Sequence, residues 1–180
     1  MSDRVVTIGG PPGSGKSTAG RTVASELGLE FVSAGELFRS EARRRGISLL
    51  ELSALAELDP SIDRALDEEM VRRADPSRLL DGRITGPLLR RRGVPTQYVV
   101  VTAEDRVRWD RLAGRDGGTV EDVAVQTKAR EASERDRYRR YYAIDLPKES
   151  PDLLVDSSEL SPGEVARRIV EFVAPPGGSR

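Results

Sequence analysis

The sequence predicts an α/β domain built on a five-stranded parallel sheet flanked by helices. Three observations carry this expectation. Arg4 to Val32 reads as strand, helix and strand in succession, and so short a crossover implies parallel pairing. Five short apolar, β-branched segments recur along the chain, separated by helical stretches. A glycine-rich loop, Gly9 to Gly15, joins the first strand to the first helix.

The elements follow in order. Arg4–Ile8 (RVVTI) is a short buried strand. Lys16–Leu27 is a helix with Val23, Ala24 and Leu27 on one face, stopped by Gly28. Leu29–Val32 is the second strand. From Ala34 to Ala74 the pattern is helical, broken at Gly46 and restarted at Asp59-Pro60, an N-cap followed by proline at the first helical position. Ile62, Leu66, Met70 and Ala74 recur at i+4 spacing as a narrow apolar stripe. Arg78–Leu80 is a third strand, ending at Asp81-Gly82-Arg83. Gln97–Thr102 is a fourth, whose run Val99 to Val101 suggests burial on both faces. Residues 103–116 and 119–142 are two charged helices around Gly117-Gly118. Leu153–Val155 is a fifth strand. A closing helix runs to Val173, with Ser161 and Glu164 as a capping box around Pro162. One domain is expected over residues 1–174, with a frayed tail at 175–180.

Composition narrows the chemistry. The chain has 180 residues, 29 Lys+Arg against 30 Asp+Glu, no histidine and no cysteine. A Ser-His-Asp triad, a histidine- or thiolate-ligated zinc and a disulfide frame are therefore excluded. The net charge of −1 argues against a nucleic-acid partner held by bulk charge. No apolar run is long enough to span a bilayer, and Met1-Ser2-Asp3-Arg4 shows no signal-peptide pattern, so a cytoplasmic, membrane-free protein is expected. Of the 29 cationic residues only Lys16, Lys128 and Lys148 are lysines.

Gly10-Pro11-Pro12-Gly13-Ser14-Gly15-Lys16-Ser17 fits G-x-x-x-x-G-K-S/T without mismatch. A polyphosphate needs several backbone N–H donors turned inward, and glycines permit that turn and the close approach. The helix that follows presents unpaired N–H groups and a positive dipole end. In this pattern Lys16 reaches the terminal phosphates and the Ser17 hydroxyl ligates Mg²⁺. A chance glycine turn is the alternative, but the strand-loop-helix setting agrees with the motif. So does the lysine, in a chain that otherwise writes cations as arginine. Lysine is a compact point charge, suited to a place among phosphates where a planar fork does not fit. Mg-ATP is the expected ligand.

Other charged groups are compatible with two readings each. Asp81, at a strand's carboxyl end, is placed to hold the Mg²⁺ shell from the second side or to cap the turn at Gly82. Arg39 follows the second strand and either clamps an acceptor phosphate or lies solvated beside Arg43 and Arg44. Arg130, Glu134 and Arg137 fall on one helix face, as do Arg111 and Arg115; surface ion pairs have the same spacing. Ser14, Ser33, Tyr138, Tyr141 and Tyr142 have no identifiable base and are read as hydrogen-bonding or packing residues. Trp109 is read as helix packing.

In order along the chain, GGPPGSGKST, SAGELFR, LLDGR and REASERDRYRRYYAID resemble the nucleoside monophosphate kinases, above all the short cytidylate kinases of the archaeal type. The resemblance runs from about Val5 to Phe172. It implies a P-loop kinase fold with an acceptor-binding helical segment over residues 34–77 and a lid within 103–149. It implies that Gly10 to Thr18 bind ATP, that Ser33, Gly35 and Arg39 contact the acceptor monophosphate, and that Arg83 lies beside it. Arg115 becomes a lid arginine on the transferring phosphoryl. Arg130 and Arg137 bridge donor and acceptor phosphates, with Glu134 holding them. One position departs: bacterial cytidylate kinases carry a cytosine-reading aspartate directly after D-G-R, and here Ile84 stands there. Asp63 or Asp67 is the substitute suggested for accepting from the cytosine amino group.

The activity this implies is phosphorylation of CMP or dCMP by ATP with Mg²⁺, by a monomer acting on small nucleotides. Two alternatives stand beside it. One is a kinase for UMP, AMP or a non-nucleotide acceptor such as shikimate. The other is a switch that binds nucleotide without transferring phosphoryl, although no N-K-x-D guanine reader is present.

Overall fold

The computed structural model describes residues 3–174, and of Leu50 the backbone alone; the expected tail at 175–180 lies outside the described residues. Five strands form one sheet: β1 (Val5–Gly9), β2 (Glu30–Ser33), β3 (Arg78–Asp81), β4 (Thr96–Thr102) and β5 (Leu153–Asp156). Their order is β2-β3-β1-β4-β5, and every pairing is parallel. The hydrophobic, β-branched strand β1 takes the centre and is buried along its whole length. Because all five strands run the same way, Gly9, Ser33, Asp81, Thr102 and Asp156 end at one edge. The register sets both Ile8 and Ser33 opposite Asp81.

Side chains alternate across the sheet, so neighbouring residues feed opposite cores. Val6, Ile8, Leu79, Val99 and Val101 face α1 (Lys16–Leu27) and α8 (Pro162–Val173), packing on Val23, Ala166 and Ile169. Val5, Val32 and Leu80 face the other way, onto Met70 of α4 (Pro60–Arg72) and Leu89 of α5 (Thr85–Arg91). Leu79 and Leu80 are both fully buried. Truncating either to alanine removes about 2–5 kcal/mol, so the strand that carries Asp81 is firmly held.

The long helical stretch is three helices: α2 (Ala34–Arg45), α3 (Leu49–Leu58) and α4. Gly46 closes α2 in a left-handed conformation, Ser48 and Glu51 form a capping box on α3, and Asp59 caps α4. Ala42, Leu52, Ala56 and Ile62 make a small separate core with Phe38, Ile47 and Leu66. The i+4 stripe on α4 is thus divided. Ile62 and Leu66 serve this satellite core, while Met70 and Ala74 serve the sheet. The segment is consequently joined to the sheet by the start of α2, through Ala34 and Leu37, and by the far end of α4.

α6 (Asp105–Asp116) and α7 (Val120–Tyr142) form a charged hairpin. Its C-terminal end is anchored where Ile144 packs with Ile84 and Leu88, against Tyr138 and Tyr142. The capping box at Ser161 and Glu164 is present on α8. The seven-residue α5 has no counterpart in the sequence expectation: Gly86-Pro87 in its first turn masks it. A Cβ on Gly86 would stand 2.3 Å from the Tyr98 ring, so glycine is what lets this helix press against β4. No helix among the described residues is long and apolar enough to cross a membrane.

Candidate active site

A cavity of about 550 Å³ opens over the carboxyl edge of the sheet, between the β1–α1 loop, the α2–α4 segment and the α6–α7 hairpin. Pro12 to Thr18 line one part of it. Gly10, Gly13 and Gly15 all have positive φ. At Gly13, φ is 79° and a Cβ would stand 2.5 Å from the Arg108 carbonyl; the loop is packed too tightly for any side chain there. The turn leaves the amino end of α1 without a side-chain cap, so its N–H groups remain available to a ligand.

Lys16 Nζ donates to the Pro11 carbonyl at 3.4 Å. No carboxylate lies within ion-pair distance of it among the described residues. Burial pushes the ammonium below its ordinary pKa, a shift that nearby Asp81 only partly opposes. A buried cation without a counter-ion is costly, and an entering polyphosphate would supply one.

Asp81 does not cap the turn at Gly82. Its Oδ2 accepts from Ser17 Oγ at 2.7 Å and from Ser33 Oγ at 3.1 Å, while Oδ1 is buried with no hydrogen-bond partner. This arrangement suits Mg²⁺. The ion takes few protein ligands and keeps waters and phosphate oxygens, and a hydroxyl beside an unspent carboxylate oxygen is a fitting donor set. Ser17 and Asp81 are the residues that would hold it. Ser33 is thereby tied to Asp81 instead of standing free for an acceptor.

The arginines sort into three states. Arg83 and Arg130 both pair with Glu134: Nη1 of Arg83 donates to Oε2, and Nε of Arg130 donates to Oε1 at 2.7 Å. Burial would raise the Glu134 carboxyl, but the two guanidinium groups outweigh it and hold the pKa below the ordinary carboxylate value. Arg137 departs from expectation. It is bound not by Glu134 but by Asp63, through Nε to Oδ2 at 2.7 Å, and by Ser133 Oγ at 2.5 Å. Helical spacing puts both arginines within a turn of Glu134; what separates them is Asp63 on α4, which takes the Arg137 guanidinium from the facing helix. Arg115 lies on the cavity wall, but its fork grips its neighbour Asp116 at 2.7 and 2.6 Å and two thirds of the side chain is exposed. Arg39 also lines the cavity, beside Gly35, and has no ion pair among the described residues.

Phe38, Ser53, Asp63, Leu66 and Asp67 of α2–α4, with Tyr138 of α7, line another part of the cavity. Asp67 accepts from Tyr142 Oη at 2.8 Å. Burial carries its pKa up to about 7. Tyr138 is packed among Ile84, Leu88 and Ile144, in keeping with a packing role. Trp109 packs within the hairpin, with the Lys128 ammonium 4.7 Å from its ring centre.

Arg108 escapes the sequence reading, which places Arg111 only on a helix face with Arg115. Arg108 is almost wholly buried and links three elements: Nη1 donates to the Pro12 carbonyl at 2.9 Å and to Glu131 at 2.8 Å, and Nη2 to Asp105 at 2.6 Å. Arg111 reaches Ser157 through Oγ at 2.9 Å and the carbonyl at 2.7 Å, and lines the cavity. Together they clamp α6 onto the phosphate loop and the β5–α8 connection. The one signal was Arg111's shared face with Arg115.

Comparison with known proteins agrees with this architecture. The family described as "AAA domain" matches residues 9–128, from the phosphate loop into α7. The cytidylate kinase of Aeropyrum pernix is 42% identical over 167 residues, covering 91% of this chain and 95% of the relative. That of Archaeoglobus fulgidus is 34% identical over 171 residues, covering 93% of each. Among solved structures, shikimate kinase from Bacteroides thetaiotaomicron superposes with a TM-score of 0.61 over 93% of this chain and 96% of its own, at 13% identity, a likeness of fold alone. The two curated relatives each cover more than nine tenths of the chain, and the chain belongs to the cytidylate kinase family of P-loop kinases.

Proposed function

We propose that the protein transfers the γ-phosphoryl group of ATP to CMP, or to dCMP, giving ADP and the corresponding diphosphate. The observation that carries this reading is one cavity with an unpaired lysine in a phosphate cradle and, across from it, Arg39, Arg83, Arg130 and Arg137. An alcohol acceptor would not require so many cations; an acceptor that already bears phosphate does.

A phosphate oxygen of the acceptor attacks the γ-phosphorus in line, forming one P–O bond as the bond to the β–γ bridging oxygen breaks. The protein contributes positioning and charge neutralisation. Lys16 and the backbone N–H groups of the Gly10–Thr18 loop, to which Pro11 and Pro12 contribute none, seat the donor. Arg39 and Arg83 hold the acceptor phosphate, with Ser33 and Gly35 forming the floor beneath it. Glu134 fixes Arg83 and Arg130 in relation to each other, and Asp63 does the same for Arg137. Arg115, when the lid of residues 103–149 closes, exchanges Asp116 for the moving phosphoryl group. Ser17 and Asp81 would hold Mg²⁺, which when bound would supply neutralising charge. Closure also keeps water from the γ-phosphorus.

An ADP-release screen at fixed ATP and Mg²⁺ tests the reading against CMP, dCMP, UMP, AMP and shikimate. CMP or dCMP should be turned over fastest. Preferential use of shikimate or AMP, or nucleotide binding without turnover of any acceptor, would overturn it.

A further inference from the structure

Four carboxylates line the cavity, and three are committed. Glu134 holds Arg83 and Arg130, Asp63 holds Arg137, and Asp81 holds the hydroxyls of Ser17 and Ser33 beside Lys16. Asp67 is the exception. Among the described residues no cation lies within ion-pair distance of it, and the Tyr142 phenol alone donates to it, at 2.8 Å to Oδ2. That bond fixes one oxygen as an acceptor and leaves Oδ1 for something else. A carboxylate is of no use to an acceptor phosphate, which it would repel. Its neighbours on the wall, Phe38 and Leu66, offer apolar surface for a flat ring. Asp67 is therefore suited to the uncharged end of the acceptor.

We propose that Asp67 reads position 4 of the acceptor pyrimidine, accepting a hydrogen bond from a 4-amino group when ionised and donating one to a 4-keto group when protonated, so that the choice between CMP and UMP turns with pH. The inference rests on the proposed reading of the chain as a pyrimidine monophosphate kinase. Cytosine and uracil differ at this position as donor and acceptor. An ionised carboxyl can only accept, whereas a protonated one can also donate. A group raised toward neutrality can show both behaviours within the ordinary pH range, and burial carries Asp67 up to about 7. Burial raises its pKa most; Asp63 and Glu68 on its own helix raise it further, while the Tyr142 hydrogen bond and Arg137 on α7 oppose them. The remaining groups nearby do not restore a counter-ion: Arg92 of α5 is spent on Glu68, and Tyr138 is a buried neutral phenol.

The test is a competition. CMP and UMP are mixed at equal concentration with excess ATP, and the ratio of CDP to UDP formed is measured from pH 6 to pH 8 for the native protein and for Asp67→Asn. Mixing cancels effects common to both substrates, including titration of their phosphates. With the carboxyl titrating near 7, the ratio should rise by about tenfold or more across this range. In Asp67→Asn the amide offers a donor at every pH, so the ratio should be flat and, at pH 8, shifted toward UDP. A flat ratio in the native protein, no UDP at pH 6, or an unchanged slope in the variant would overturn the proposal. The native profile decides the matter if the variant fails to fold. Activity on both pyrimidines with a flat ratio overturns this inference alone; activity on neither overturns the functional reading with it.

Discussion

Ser17 Oγ donates a 2.7 Å hydrogen bond to Asp81 Oδ2, joining the first turn of α1 to the last residue of β3 across the carboxyl edge of the sheet. The parallel register makes this contact: β3 lies directly beside β1, so the strand end that carries Asp81 faces the helix that β1 launches. The pairing holds one oxygen of Asp81 and leaves the other buried and unsatisfied. Replacing Asp81 with asparagine keeps the shape and removes the charge. The Mg²⁺ concentration giving half-maximal rate should then rise about 10–100-fold, the scale of losing a residue that orients a metal. An unchanged Mg²⁺ requirement would reduce Asp81 to a structural strut.

Glu134 is a buried anion between two guanidinium groups, and Glu134→Ala leaves Arg83, itself largely buried, unpaired on that side. Breaking a buried pair by removing one partner costs about 3–5 kcal/mol. Urea denaturation should show a loss of that order. Asp116→Ala, which removes an exposed partner of Arg115, should cost less than about 1 kcal/mol. Equal losses from the two variants would contradict this ranking of the ion pairs.

These cases also mark what the sequence made legible. The strands, the phosphate loop and the caps are local: each is specified by a few consecutive residues whose backbone demands are distinctive. The pairing of Arg130 with Glu134 was legible for the same reason, being one helical turn. The second partner of Glu134 was not, because Arg83 lies 51 residues away and reaches it only through the tertiary fold. Asp63 with Arg137, 74 residues apart, is the same kind of contact. Arg108 was hidden because a buried structural arginine and a solvated one have identical helical spacing; only packing against Pro12 and Glu131 separates them. The helix α5 was hidden because seven residues containing Gly86-Pro87 carry little periodic signal.

Arg115 separates activity from stability in a single variant. Its ion pair with Asp116 is exposed and close to neutral for folding. The task proposed for it would arise only on closure of the α6–α7 hairpin over a reacting phosphoryl group. Arg115→Ala should therefore melt within a degree or two of the native protein, yet turn over about 10²-fold more slowly, the scale of losing one donor to transition-state charge. A rate within threefold of native would remove Arg115 from the catalytic set.

Asp67 makes the ligand-free fold sensitive to pH in an unusual direction for a carboxylate. Where an acidic side chain is shifted here, the shift is mostly downward, through hydrogen bonds or arginines as with Glu134, and so favours folding at higher pH. Asp67 is the reverse: its folded pKa of about 7 lies above the ordinary value of 3.8. Below about pH 4 both folded and unfolded states carry the proton. Between there and about 7 only the folded state keeps it, so stability falls as pH rises, and the loss is complete once the folded group ionises. In Asp67→Asn this contribution is absent. Urea titrations at pH 5 and pH 8 should show the native protein losing stability relative to the variant by on the order of 2 kcal/mol. Adding CMP at pH 8 should recover part of that difference in the native protein, because its 4-amino group supplies the ionised carboxylate with a second donor. A gap between the two proteins that is constant from pH 5 to pH 8 would mean that Asp67 keeps an ordinary carboxylate pKa, ionised in both states throughout.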